Sequence, residues 1–183
     1  MGFLKYVMYG VRQIQYDYLR QPRVKGLIGE QQVRNTLKTQ RLIINDLTTN
    51  EPHKAQIDHI VINEKGVLVI ETKNYSGIIR GRAHDRFWYQ YVGDKKNAFL
   101  NPLIQNQYHI DCLINIFPEY SESFRSIVVF TDKAKLYISG ISNVTKLSML
   151  NKHIESMNDA GLPVELREPL FQRIKLIKET NAS

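Results

Sequence analysis

The chain carries a single cysteine, Cys112, in 183 residues. That excludes an intrachain disulfide and a thiolate zinc cluster, and it suits a reducing compartment. Long hydrophobic runs are also missing: nothing approaches the roughly 20 apolar residues a spanning helix needs. Met1–Arg20 does not read as a secretory leader, because Lys5 interrupts a short apolar start and no small-residue cleavage site follows. Met1-Gly2 opens no myristoylation motif, since Tyr6 stands where serine or threonine is required. Histidine metal motifs of the HxxxH or HExxH type are absent, as are internal repeats and low-complexity tracts. These absences describe a cytoplasmic globular protein without a transmembrane segment.

Acidic residues are the scarcer charge, 18 against 25 basic ones, which leaves a net charge of +7. A basic surplus draws polyanions, and nucleic acid is the obvious one; a generally basic soluble protein is the plainer alternative. Hydrophobic residues at 43% and charged ones at 23% point to a packed domain rather than a disordered chain.

Leu4, Val7, Met8 and Val11 recur at helical spacing and form a short amphipathic arm over residues 1–22, suited to docking on its own domain or on a second copy. Gly26 to about Thr39 reads as a helix with Leu27, Glu30, Val33 and Leu37 on one stripe. Glu30 is the odd member, either at the edge of the core or buried with a partner. Arg41–Leu47 is a strand. Gly77–Gly81 and Phe87–Val92 are further strands, with a turn at Gly93-Asp94-Lys95-Lys96. Asn101 is placed to cap a second helix that has Pro102 in its first turn and stacks Asn101, Gln105 and His109 on one face. The run SIVVFT (Ser126–Thr131) suggests a fully buried strand, followed by short strands and two closing helices. The order describes an α/β domain over residues 23–140, a mixed β-sheet covered by helices, with a C-terminal helical extension over 141–183 packed on the same domain.

The densest chemistry lies in QIDHIVINEKGVLVIETKNYSG. Two β-branched runs flank Asn63-Glu64-Lys65-Gly66 and read as a hairpin. A four-residue loop pairs Ile62 with Val67, Ile60 with Val69, Asp58 with Glu71 and Gln56 with Lys73. One end of a single face is then apolar, while the other carries two carboxylates, an ammonium and an amide. Facing carboxylates repel, so sheet stability gives no reason for that switch, and a divalent cation removes the penalty. A structural Asp58–Lys73 ion pair on an exposed strand is the competing reading. Hard oxygen donors select Mg²⁺ or Mn²⁺.

Taken together, Gly26-x-x-Gly29-Glu30, Gln56-Ile57-Asp58-His59, Glu71-Thr72-Lys73-Asn74-Tyr75-x-Gly77 and Asn101-Pro102-x-x-Gln105 resemble the nuclease-related domain (NERD) family, over roughly Val24 to Thr131. That family is similar to the PD-(D/E)xK nucleases. The resemblance implies a restriction-endonuclease-like fold and a metal-dependent phosphodiesterase acting on nucleic acid, DNA before RNA. It assigns Asp58 and Glu71 as metal ligands with the Thr72 backbone carbonyl, Lys73 as the catalytic lysine, and Glu30 and Gln105 as accessory residues. Gln56, cross-strand from Lys73, joins this set as a hydrogen-bonding partner for water or phosphate. A nucleic-acid-binding or adaptor module that has lost turnover is the alternative. Basic residues near these motifs include Arg23, Lys25, Arg34, Lys54, Arg80, Arg82, Lys95 and Lys96. Phe87, Tyr89 and Tyr91 alternate with Trp88 and serve either as core and sheet-face aromatics or as stacking platforms.

Overall fold

The computed structural model describes residues 21–50 and 54–181. The expected N-terminal arm, and any oligomer formed through it, lies outside the described residues. Helix α1 (Pro22–Thr36) starts on a proline, whose fixed φ and missing N–H suit a first helical turn, and closes with a 3₁₀ turn over Leu37–Thr39. Strands β1 (Leu42–Thr48), β2 (Gln56–Asn63) and β3 (Gly66–Lys73) form an antiparallel meander. Strands β4 (Gly77–Arg80), β5 (Phe87–Val92) and β6 (Lys95–Leu100) form a second one. Helix α2 (Pro102–Ile116) follows, then β7 (Phe124–Phe130), β8 (Ala134–Tyr137) and β9 (Val144–Lys146). Helices α3 (Leu150–Ser156) and α4 (Val164–Asn181) close the described chain.

The fold is mixed α/β, but it holds two mixed sheets where a single one was expected. The main sheet has the order β1-β2-β3-β7-β9, with β7 parallel to both β3 and β9; the second has the order β6-β5-β4-β8, with β8 parallel to β4. Gly77 makes the division possible. It turns the chain out of β3 at φ 78°, and a side chain there would meet the Tyr91 carbonyl at 2.2 Å.

Alternation along β2 and β3 supplies both faces of the main sheet. Ile60, Ile62, Val67 and Val69 pack with Ile110 and Leu113 of α2 and with Leu170 and Ile174 of α4. Val61, Leu68 and Ile70 pack on the other side with Val33, Leu37, Leu150 and Ile154. The continuous apolar run Ile127–Phe130 is buried throughout, as befits a strand with neighbours on both edges and helices on both faces. The segment after residue 140 contributes β9 to the main sheet as well as helices to both layers. Leu27 departs from expectation. It is 55% exposed, and the buried face of α1 runs through Val24, Gly29 and Val33 instead.

A third cluster joins the two sheets. Trp88 is fully buried and stacks on Phe130, with ring centroids 6.3 Å apart and planes 8° from parallel. Its indole N–H donates to the Arg82 carbonyl at 2.9 Å. Trp88 is therefore a core residue. Phe87 at 46% exposed and the half-buried Tyr89 and Tyr91 take the other face of β5.

Candidate active site

The hairpin register matches its sequence pattern from Asn63↔Gly66 to His59↔Ile70, and there the ladder ends. Beyond it, the Asp58 side chain takes over: Oδ2 accepts the Thr72 backbone N–H at 2.8 Å. This corrects the expected register at two positions. Asp58 engages β3 through the backbone of Thr72, not as a cross-strand partner in the ladder. Gln56 does not meet Lys73; it pairs with Thr48 of β1, is exposed, and its amide donates to Asp46 Oδ1 at 3.2 Å.

Lys73 finds its amide on α2 instead. Its ammonium donates to Glu71 Oε1 at 2.7 Å and to Gln105 Oε1 at 2.8 Å. Glu71 and Lys73 share a strand face because they are two residues apart, and that face looks towards α2. Gln105 reaches Lys73 because Asn101 fixes where α2 begins. Asn101 is fully buried, caps the helix by accepting the Leu103 N–H at 3.0 Å, and donates to the carbonyls of Ala83 and Asp85 at 3.0 and 2.7 Å. Pro102 then fills the first turn, where a missing N–H is harmless.

Glu30 arrives from α1. Gly29 is buried, and an added side chain there would sit 2.7 Å from Asn74 Cβ and 3.3 Å from Thr72 Cγ2. The glycine lets α1 press on the end of β3, and Glu30 follows it in sequence. Asn74 secures the contact by donating to the Lys25 carbonyl at 2.7 Å.

Three carboxylates load one another electrostatically. Burial pushes Asp58 up to about 7, and the negative charge of Glu71 adds to this; the Thr72 N–H and Lys73 pull the other way. Glu71 is only 3% exposed and is also raised, first by burial; Lys73 opposes this and Glu30 adds to it. Glu30 is raised by burial, then by Asp58 and Asp46, with Arg34 opposing. Each acid thus feels another. Glu71 Oε2 is buried without a hydrogen-bond partner. A buried orphan oxygen among mutually repelling carboxylates fits a hard cation, which would satisfy the oxygen and cancel the repulsion. Among the described residues, no three histidine, cysteine or acidic side chains close into a finished ligand cage. Magnesium sites commonly take one or two carboxylates and complete their shell with water and substrate phosphate.

His109, placed by the sequence on the Gln105 face of its helix as a candidate to line the cleft, and Asp46, which the sequence reading missed, both adjoin the acidic group. His109, one turn beyond Gln105 on α2, brings Nδ1 to 3.5 Å from Glu71 Oε2. Burial, and then Lys73, lower it to about 4, so it is neutral near pH 7 and the approach is not an ion pair. Its place on the Asn101–Gln105 face was the available signal. Asp46 lies across from Asp58 in β1, at a gap in the ladder, with φ 55°. An acid next to Asn45 within the strand LIINDLT was its only mark. Asn106, also unforeseen, seats α2 by donating to the Val69 carbonyl at 2.8 Å and to Ser126 Oγ at 2.9 Å. His59 stays apart from the acidic group, buried with Nδ1 2.7 Å from Asn45 Oδ1. Cys112 is a buried core residue.

A mixed α/β sheet with an acid-and-lysine strand end, flanked by two helices that add a glutamate and a glutamine, defines a nuclease-like protein class. The nuclease-related domain (NERD) model matches residues 25–131, and the chain belongs to this family, part of the PD-(D/E)xK-like nuclease superfamily. The chain is also similar to an uncharacterized protein of Bacillus anthracis, 34% identical over 163 residues, which cover 84% of this chain and 76% of that protein. No solved structure matches the chain. No helix among the described residues is long and apolar enough to cross a membrane.

Proposed function

We propose that the protein is a metal-dependent nuclease that hydrolyses phosphodiester bonds, with DNA as the substrate. One observation carries this reading: Asp58, Glu71 and Lys73 meet at the end of the β2–β3 hairpin, with a buried Glu71 oxygen unsatisfied and both carboxyls raised, first by burial and then by a neighbouring acid. Asp58 and Glu71 would hold Mg²⁺ or Mn²⁺ together with the Thr72 carbonyl, and Glu30 would act as an accessory ligand. Bound there, the cation supplies positive charge to phosphoryl oxygens and acidifies water.

The side chains divide the remaining work. Lys73, held between Glu71 and Gln105, presents its ammonium to the non-bridging oxygens as charge builds on phosphorus. Gln105 fixes the direction of that ammonium and can hydrogen-bond an incoming phosphate or water. Asp58 is anchored through Oδ2 by the Thr72 N–H, a contact that would steady the carboxylate for the cation. Gln56 and Asp46, linked at the open edge, shape the approach.

The test is cleavage of supercoiled plasmid by the full chain with Mg²⁺ or Mn²⁺ and with EDTA. Metal-dependent nicking that disappears in Asp58→Ala and Lys73→Ala supports the reading. Cleavage that survives both substitutions assigns the cutting to a contaminant. DNA binding that persists in EDTA, with no cleavage by any metal, identifies a binding or adaptor module instead.

A further inference from the structure

The second sheet buries one face against the Trp88–Phe130 cluster and turns the other outward. Register defines the outward set. Arg80 pairs with Tyr89 on one side and Tyr137 on the other, and Tyr91 pairs with Lys96, so these side chains share a face across four strands. Their contacts agree with the register. Lys96 Nζ lies 4.1 Å from the Tyr89 ring centroid and 5.9 Å from that of Tyr91. The Arg80 guanidinium lies 5.8 Å from Tyr91 and 5.6 Å from Tyr137. Tyr137 is 59% exposed, and Phe87, at the end of the row, is 46% exposed.

The charge on this sheet is one-sided. None of its four strands contains an aspartate or a glutamate. The strands therefore set aromatic rings among cations and contribute no carboxylate of their own, the neighbouring acids in sequence, Asp85 and Asp94 among them, lying in the connections, whereas a solvated sheet face ordinarily mixes both signs. Core packing does not need these rings, because the sheet's buried contacts lie on the Trp88 side.

We infer that this face is a docking platform for single-stranded DNA, distinct from the hydrolytic site. Bases stack on Tyr89, Tyr91 and Tyr137, and Arg80 and Lys96 meet the phosphates. A single strand fits better than a duplex, because separated bases expose the π-faces that upright rings on a sheet can cover, while duplex bases are already stacked. The cations that rest on the rings in the free protein are weakly held at this exposure. A phosphate draws them into a charge-assisted contact and leaves the rings open to bases. Recognition through π-faces and phosphates needs no 2′-hydroxyl, and it tolerates any sequence. Only Asn74, Tyr75 and Ser76 separate Lys73 from β4, so the platform and the acidic site belong to one stretch of chain.

The test is fluorescence anisotropy with the full chain and a fluorescein-labelled oligothymidylate of about 12 nucleotides, within the usual site size of such surfaces. EDTA is present throughout, so binding is read independently of cleavage. Tyr137→Ala weakens binding by about tenfold. Lys96→Ala and Arg80→Ala each reduce the slope of log affinity against log salt by about 0.7. Because Tyr89 is half-buried, the exposed substitutions Tyr137→Ala and Lys96→Glu decide the matter if Tyr89→Ala fails to fold. Unchanged affinity in a folded Tyr137→Ala/Lys96→Glu double variant overturns the inference. So does tighter binding of duplex DNA or of oligouridylate. A Tyr137→Ala effect on light-scattering mass without one on oligonucleotide affinity also overturns it, by making the face a contact between copies.

Discussion

Replacing Asp58 by asparagine should make the metal-free protein more stable at neutral pH. The folded protein raises the Asp58 carboxyl from 3.8 to about 7, chiefly by burial and by the facing charge of Glu71. The folded state then binds the proton more tightly than the unfolded chain does. The contribution of Asp58 is fully favourable below 3.8 and is lost as pH rises through about 7. At 1.36 kcal/mol for each tenfold change in proton affinity, the gap corresponds to about 4 kcal/mol. Partial solvent access and relaxation leave about half of that, or 2 kcal/mol, as the usable figure. For a chain of this length that is a rise in Tm of about 4–8 °C. Asparagine keeps an oxygen for the Thr72 N–H, so the anchoring hydrogen bond survives the change. Thermal unfolding of the wild type and Asp58→Asn in EDTA, at pH 8 and at pH 4, measures the effect. The gain should appear at pH 8 and shrink towards zero at pH 4, where the wild-type carboxyl is protonated. Adding Mn²⁺ at pH 8 should reverse the order, since only the wild type keeps the ligand and gains stability from binding. A variant that is less stable at both pH values, or equally stabilised at both, refutes the electrostatic account.

Lys73→Met should lower metal-supported DNA cleavage by about 10²–10³-fold, and Gln105→Ala by less, as measured on plasmid substrate. An equal loss in both would mean that the amide is as necessary as the ammonium it holds. Gly29→Ala places a methyl group 2.7 Å from Asn74 Cβ; it should cost about 1–3 kcal/mol in urea denaturation and weaken calorimetric Mn²⁺ binding by displacing Glu30. A loss of stability with unchanged Mn²⁺ affinity would remove Glu30 from the metal's surroundings. Asn101→Ala removes a helix cap and strands two carbonyls, for about 2–4 kcal/mol. Asn101→Asp keeps the cap acceptor but loses both donors, so it should recover only part of that in the same denaturation assay.

Much of the acidic strand end could be read in the chain because strand alternation is a strict rule. Ile60, Ile62, Val67 and Val69 could lie on one face only if Glu71 and Lys73 continued it, and the ladder follows that register up to His59. The rule fails at Asp58, where a short acidic side chain competes for a backbone N–H and the strands part. Gln56 was misplaced for the same reason, since its expected partner depended on a ladder that stops short of it. The helix cap at Asn101 was legible because Asn-Pro at a helix start has a local cause. The second sheet was only half visible. Strand β6 carries Lys-Lys-Asn and is largely exposed, so it resembles a turn in sequence, yet lysine is a normal guard of an edge strand. The division into two sheets depends on the parallel pairing of β4 with β8, a contact between distant segments that no local pattern records.

The parallel pairing of β3 with β7 bears on how the protein matures. Glu71 and Lys73 sit in register with Val128 and Phe130, and the Lys73 carbonyl accepts the Thr131 N–H at 3.1 Å. The whole second meander and α2 intervene between these partners in the chain. A growing polypeptide on the ribosome can close the β2–β3 hairpin early, but it lacks the neighbouring strand that buries Glu71, as well as the glutamine that steadies Lys73. Completion of the acidic strand end is thereby postponed until synthesis has passed residue 131.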